Sequence, residues 1–280
     1  MNLDEKIISA LKDLDYKEAT EIQKKAIPIA LKKRDILAAA QSGTGKTAAF
    51  LLPILTELIA NKQPNKPVLR TLILVPTREL ASQISKAAED LGKYLDVQKL
   101  AVFGGVSTKE QEKKIAKGLD ILVATSGRLM EHLKNGTVDL SSVTTVVIDE
   151  VDTMLDMGFL EDIEKILPSV GPKRQIMMFS ATMNQNVKKL AKEFLTDPVV
   201  IEVAQQRSAV KIIDQQIVLV DEANKAAALS YIIGSKNYSQ VLVFVNMKIE
   251  ADKLVEHLEL DGLPAACIHG DVRQTARAKA

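Results

Sequence analysis

Residues Ala40 to Thr47 read AQSGTGKT, a spacing of small, hydroxyl-bearing and basic side chains suited to holding phosphate. It is the pattern G-x-x-x-x-G-K-[ST] with Ala40 in place of the first glycine. Gly43 and Gly45 permit positive φ, so the backbone N–H groups from Ser42 through Thr44 and beyond can close around phosphate oxygens. A helix beginning just after Gly45 would direct its free amides and positive dipole end at the same oxygens. Lys46 can reach the β and γ oxygens of a bound nucleoside triphosphate, and the Thr47 hydroxyl can bind Mg²⁺.

Such a loop needs an acidic partner from a neighbouring strand end, and Val146 to Asp152, VVIDEVD, supplies one. Asp149 can hold Mg²⁺ directly or through water, and Glu150 can orient and deprotonate an attacking water. Phosphoryl transfer asks little more than positioning and charge neutralisation, because the leaving group does most of its own bond breaking. Asp152, two residues on, is also suited to capping a helix. Metal-hydrolase and nucleophile chemistry find no comparable pattern. His132, His257 and His269 are scattered, and the single cysteine, Cys267, reads as a small core residue.

These groups must be carried by a sheet. Short apolar runs at 36–39, 72–75, 100–103, 121–124, 146–148 and 176–179 alternate with helix-like segments such as 47–59 and 78–91. Runs such as LILV, ILVA and VVI have no polar alternation, as expected of strands covered on both faces. This rhythm predicts an α/β fold, a parallel sheet with helices on both faces. The runs are followed by AQSGTGKT, PTREL, GG, TSGR, DEVD and SAT, each polar or small where the chain leaves the sheet. In open α/β sheets the ligand lies outside the carboxyl ends of the strands, so the six endings should converge on one edge. A second set of strand-like runs lies at 216–220, 241–245 and 265–268.

The 280 residues, 46% hydrophobic and 26% charged, describe an ordinary globular chain. At roughly 100–200 residues per domain the length suggests about two domains. The balance of 37 basic against 36 acidic residues excludes a partner held by bulk positive charge, though not nucleic acid bound in a local cleft. One cysteine excludes an internal disulfide and fits a reducing compartment. The first residues, MNLDEKIISA, carry acids where a signal peptide needs bases. The longest apolar stretch, 48–60, is interrupted by Pro53, Thr56 and Glu57 and falls short of a membrane span of about 20 residues. A cytoplasmic protein with no membrane association is expected.

Taken in order, the motifs resemble those of the DEAD-box RNA helicases of the RecA-like superfamily 2 type. The acidic box is DEVD, with Val151 where the family usually has alanine. The resemblance implies ATP and Mg²⁺ as cofactors and RNA as partner. Tyr16 to Gln23 resembles the adenine-reading Q motif, which implies that Tyr16 stacks on adenine and Gln23 bonds its edge; Ala19 stands where proline is usual. Pro76-Thr77-Arg78, Gly104-Gly105 and Thr125-Ser126-Gly127-Arg128 resemble the RNA-contact motifs, with Ser126 in place of proline. Arginines, hydroxyls and glycines suit phosphate and sugar contacts and carry little base specificity. Ser180-Ala181-Thr182 resembles the motif that, with Asp152, couples hydrolysis to strand separation.

The resemblance divides the chain into a RecA-like domain 1 at 1–203, a linker at 204–211 and the start of a second RecA-like domain at 212–280. Gly270, Gln274 and Arg277 resemble RNA-contact positions of that second domain, and His269 would sit near RNA. The second domain reads as incomplete, without the family's arginine-rich motif. The expected function is ATP-dependent local unwinding of RNA or remodelling of ribonucleoprotein, with weak activity in this chain. The alternatives are a non-unwinding ATP-gated RNA clamp, or a P-loop ATPase acting on DNA or protein.

Overall fold

The computed structural model describes residues 3–41, 43–61, 67–203 and 214–280. The chain divides into two compact units, Met1–Gln206 and Arg207–Ala280. Among the described residues no helix is long and apolar enough to cross a membrane.

In the first unit seven strands form one sheet: β1 (Ile36–Ala39), β2 (Thr71–Val75), β3 (Lys99–Val102), β4 (Ile121–Thr125), β5 (Thr145–Ile148), β6 (Gln175–Ser180) and β7 (Val199–Glu202). The spatial order is β3-β4-β2-β5-β6-β1-β7, and every pair is parallel. The continuous apolar runs are explained by the packing. Along each strand alternate side chains enter two separate cores. Ile73, Val123, Val147, Met177 and Phe179 face one, and Leu72, Leu74, Leu122, Ile148 and Met178 face the other.

The first core is covered by α1 (Glu5–Asp13), α2 (Glu21–Ala30), α3 (Lys46–Ala60) and α4 (Arg78–Leu91). The second is covered mainly by α6 (Ser126–Lys134), α7 (Val151–Asp156), α8 (Leu160–Ile166) and α9 (Gln185–Phe194). The short α5 (Thr108–Ile115) follows β3. Side-chain caps fix several starts: Thr77 accepts from Leu80 N at 3.2 Å and Asn184 from Val187 N at 2.9 Å. At the opposite edge of the sheet, Arg70 and Asp120 form a buried ion pair at 2.6 Å, and Asp120 also accepts from Gln98 N.

This topology sorts the motif-bearing strands. β5, β6 and β1 are consecutive neighbours and carry DEVD, SAT and the glycine loop. β3, β4 and β2 form the other half and carry GG, TSGR and PTREL.

The second unit contains α10 (Lys225–Lys236), α11 (Lys248–Leu260) and α12 (Gln274–Lys279). The strands expected at 216–220, 241–245 and 265–268 are not formed: these runs pair in no ladder among the described residues. β-branched composition favours extended backbone, but a strand also needs a hydrogen-bonded neighbour and cover on its faces. Ile217, Leu219, Leu242 and Phe244 are instead 91%, 92%, 78% and 87% exposed. The expected linker at 204–211 lies outside the described residues.

Candidate functional site

The glycine loop leaves β1 beneath a brace from β6, with Ala40 N donating to Ser180 O at 3.0 Å. Gly43 and Gly45 take φ of 80° and 92°, the left-handed region their sequence positions required, and Gly45 caps α3. A side chain at Gly45 would collide with Gln23, whose Nε2 donates to Gly45 O at 3.1 Å. Gln23 is buried, and its Oε1 accepts from Thr20 N at 3.0 Å, which fixes the amide orientation. One N–H and one lone pair of that amide remain for a ligand. Tyr16 is 46% exposed on the turn after α1. Ser42 lies outside the described residues, and Thr44 closes the turn by donating to Gln41 O at 2.7 Å.

Lys46 begins α3 and is only 6% exposed. Its Nζ lies 3.9 Å from Asp149 Oδ1 and has no hydrogen-bond partner among the described residues. A buried ammonium in this condition loses hydration without recovering it, which costs several kcal/mol unless a ligand supplies acceptors. Asp149 follows β5, is 2% exposed and accepts from Glu150 N at 3.0 Å. Burial pushes its carboxyl up to about 6, opposed by the Lys46 charge and that N–H. The Asp149 carboxylate, and the hydroxyl of Thr47 next to Lys46 in the first turn of α3, are hard oxygens of the kind Mg²⁺ prefers. With the orphaned ammonium beside them, the residues fit a phosphate–Mg²⁺ group.

Glu150, at the start of α7, has φ 54° and ψ 51°. For a residue with a Cβ this conformation costs about 1–2 kcal/mol, held in place here by the buried residues on either side. Asp152 accepts from Thr182 N at 2.8 Å, Thr182 Oγ1 at 2.9 Å and Ala181 N at 3.4 Å. Burial works to raise the Asp152 carboxyl, but these bonds and the nearby Ser180 hydroxyl outweigh it and hold it below the usual range. Ser180 Oγ is itself buried without a regular hydrogen bond among the described residues. The acidic box and SAT are therefore joined through Asp152.

On the other half of the edge, the Arg78 guanidinium lies against Gly104-Gly105; a side chain at Gly105, where φ is 82°, would be strained and would displace that guanidinium. Pro76 follows β2, and Thr77 uses its hydroxyl as the α4 cap. Thr125 caps α6, and Gly127 faces open space. Arg128 is more constrained than its sequence context suggests. It donates to Val106 O and Gln111 Oε1 at 3.1 and 2.8 Å and pairs with Glu131 at 2.9 Å. Sequence reasoning missed Gln111 and His132, both buried beside Arg128. The available signal was the i,i+4 spacing of Arg128 and His132 on one face of α6.

Ser126, at the first position of α6, is buried, and its hydroxyl has no partner among the described residues. Thr125 before it has φ −81° and ψ 142°, which a following proline accepts. Ser126→Pro should raise unfolding stability by about 1 kcal/mol, since it removes a buried unsatisfied group and restricts the unfolded chain. Urea denaturation checks this, and a lower midpoint would refute it.

In the second unit, His269 Nε2 lies 3.0 Å from Asp252 Oδ1. Cys267 is half-buried and donates to the same carboxylate oxygen, which corrects its reading as a core residue. Gly270 lies beside Lys248, which pairs with Asp271 at 2.9 Å. Gln274 and Arg277 lie on α12.

The family description DEAD/DEAH box helicase matches residues 20–190. The chain is 37% identical over 276 residues to the DEAD-box ATP-dependent RNA helicase CshA of Bacillus subtilis, covering 99% of this chain and 55% of that protein. It is 38% identical over 277 residues to the DEAD-box ATP-dependent RNA helicase RhpA of Helicobacter pylori, again covering 99% and 55%. The chain thus spans about half the length of these relatives. A crystal structure of a DEAD box protein from the hyperthermophile Methanococcus jannaschii superposes with a TM-score of 0.68 at 34% identity, over 100% of this chain and 74% of that one.

Proposed function

Because the chain belongs to the DEAD/DEAH box helicase family, we propose that it binds and hydrolyses ATP with Mg²⁺ and uses the cycle to open short RNA duplexes or remodel ribonucleoprotein locally, in the cytoplasm. Residues 1–203 are read as the ATP-binding RecA-like domain, 204–211 as a linker and 212–280 as part of a second such domain. The observation that carries the reading is the buried Lys46 ammonium, 3.9 Å from Asp149 and without a hydrogen-bond partner among the described residues, at the mouth of a glycine loop.

In this reading the loop amides of 42–47 and Lys46 hold the phosphates. Thr47 and Asp149 would hold Mg²⁺, which when bound neutralises charge on the β and γ oxygens. Glu150 takes the proton from the attacking water. Asp152, bonded to Thr182, transmits the state of the acidic box to the strand end of β6. Arg78 with Gly104-Gly105, and Thr125 to Arg128, face RNA phosphates and sugars, and in the second unit Gly270, Gln274 and Arg277 do the same.

Gln23 reads adenine with its remaining N–H and lone pair, and Tyr16 stacks on the ring. Tyr16→Ala should therefore weaken ATP about tenfold, the low end of base–aromatic stacking, while leaving inorganic phosphate affinity unchanged. Equal loss for both ligands in competition titrations would count against stacking. The function itself is tested by release of a labelled strand from a short RNA duplex: release with ATP and none without it is expected. ATP-dependent binding without release would identify a clamp instead, and ATP turnover responding equally to DNA would refute RNA as the partner.

A further inference from the structure

His132 is fully buried in α6 and belongs to none of the groups assigned above. Its ring touches two partners: Nε2 lies 3.1 Å from Gln111 Oε1, and Nδ1 lies 2.9 Å from Thr137 Oγ1. Gln111 is also buried; its Oε1 accepts from Arg128 at 2.8 Å and its Nε2 donates to Phe103 O at 3.1 Å. Phe103 immediately precedes Gly104-Gly105, and Arg128 ends the TSGR motif. Gln111 therefore links two stretches of the sheet edge that are far apart in the chain, and His132 stands behind Gln111.

Hydrogen-bond bookkeeping allows one arrangement. Arg128 is a donor only, so the atom facing it must be the Gln111 oxygen. That oxygen also faces His132 Nε2, so Nε2 must carry a proton. Burial and the Arg128 charge hold the imidazole below its usual range, opposed by Glu112 and Glu131, so the ring is neutral at pH 7. Nδ1 is then an acceptor, and Thr137 Oγ1 can donate to it or to His132 O at 3.0 Å. With the proton on Nδ1 instead, the Gln111 amide would have to turn over, presenting its NH₂ to Arg128 and its oxygen to the Phe103 carbonyl.

We propose that His132 is a positioning residue that, as the Nε2–H tautomer, locks the Gln111 amide and through it sets both Arg128 and the Gly104-Gly105 loop for contact with the RNA backbone. This rests on the reading of that edge as RNA-binding. A merely space-filling histidine would need no particular tautomer and would be replaceable by an apolar side chain.

The test measures three properties of the protein: affinity for a labelled single-stranded RNA, affinity for ATP, and the protonated ring nitrogen of His132 by ¹⁵N NMR. The proton is expected on Nε2. His132→Leu should weaken RNA binding about tenfold, the equivalent of one charge-assisted hydrogen bond, and leave ATP affinity unchanged. His132→Gln, whose amide N–H can reach the position of Nε2–H, should restore most of the loss. A proton on Nδ1, unchanged RNA affinity in a folded His132→Leu, or no rescue by glutamine would overturn the proposal. Arg128→Ala separates the two layers. If it leaves RNA affinity unchanged, the RNA reading of this edge fails and the proposal with it. If it weakens RNA while His132→Leu does not, only the positioning role fails. Should His132→Leu not fold, the tautomer and His132→Gln still decide the question.

Discussion

Glu150→Gln should bind ATP as tightly as the parent protein and hydrolyse it at least about 100-fold more slowly, the low end of general-base effects. The substitution keeps the size of the side chain and removes only its capacity to take a proton. It should also keep the fold. Glu150 holds a left-handed conformation at the start of α7, and glutamine bears the same backbone cost there. The neighbours that impose this geometry, Asp149 and Val151, are buried and unchanged. Single-turnover hydrolysis with saturating ATP separates the chemical step from binding. Normal hydrolysis in the variant would remove Glu150 as the base, and a loss of ATP affinity would make it a binding residue instead.

Lys46→Ala should abolish measurable ATP binding. The Nζ is the only charged group the structure places in the glycine loop, and it has no hydrogen-bond partner of its own among the described residues. Removing it deletes the cation proposed to face the β and γ phosphates and takes from the buried Asp149 the ammonium 3.9 Å away. The Asp149 carboxyl, already raised to about 6 by burial, must then move higher, because the Lys46 charge is the larger of the two influences that lower it. A carboxyl raised above its unfolded value stabilises the fold at low pH and loses that contribution as pH rises through the folded value. Relative to the parent, the variant should therefore gain stability on going from pH 7 to pH 5, as Asp149 takes up its proton in both. Equilibrium titration with a fluorescent ATP analogue and urea midpoints at the two pH values check both parts. Retained ATP affinity would refute the assignment.

Much of this site could be read from local spacing. The glycine loop, the acidic box and the six polar strand ends are short contiguous motifs, and the apolar runs before them predicted strands that pair as expected in the first unit. What could not be read is non-local. Gln23 bonds Gly45 across 22 positions, and His132 meets Gln111 across 21, so neither contact leaves a periodic trace. The left-handed turn at Glu150 depends on its buried neighbours and not on its own preference. The runs at 216–220 and 241–245 have strand composition yet form no ladder, since pairing requires partners that composition cannot provide. Arg128 is a further case: its motif marks it as a phosphate or sugar contact, and nothing in that motif indicates the bonds to Gln111 and Glu131 that hold it.

The motifs read as nucleotide-binding follow β5, β6 and β1 and those read as RNA-binding follow β3, β4 and β2, so the proposed function assigns both ligands to one sheet edge. The most direct test is the rate of ATP hydrolysis by this protein as single-stranded RNA is titrated in. A rate that rises with RNA and saturates, with no such rise for DNA of the same sequence, is expected. A rate indifferent to RNA would contradict the account.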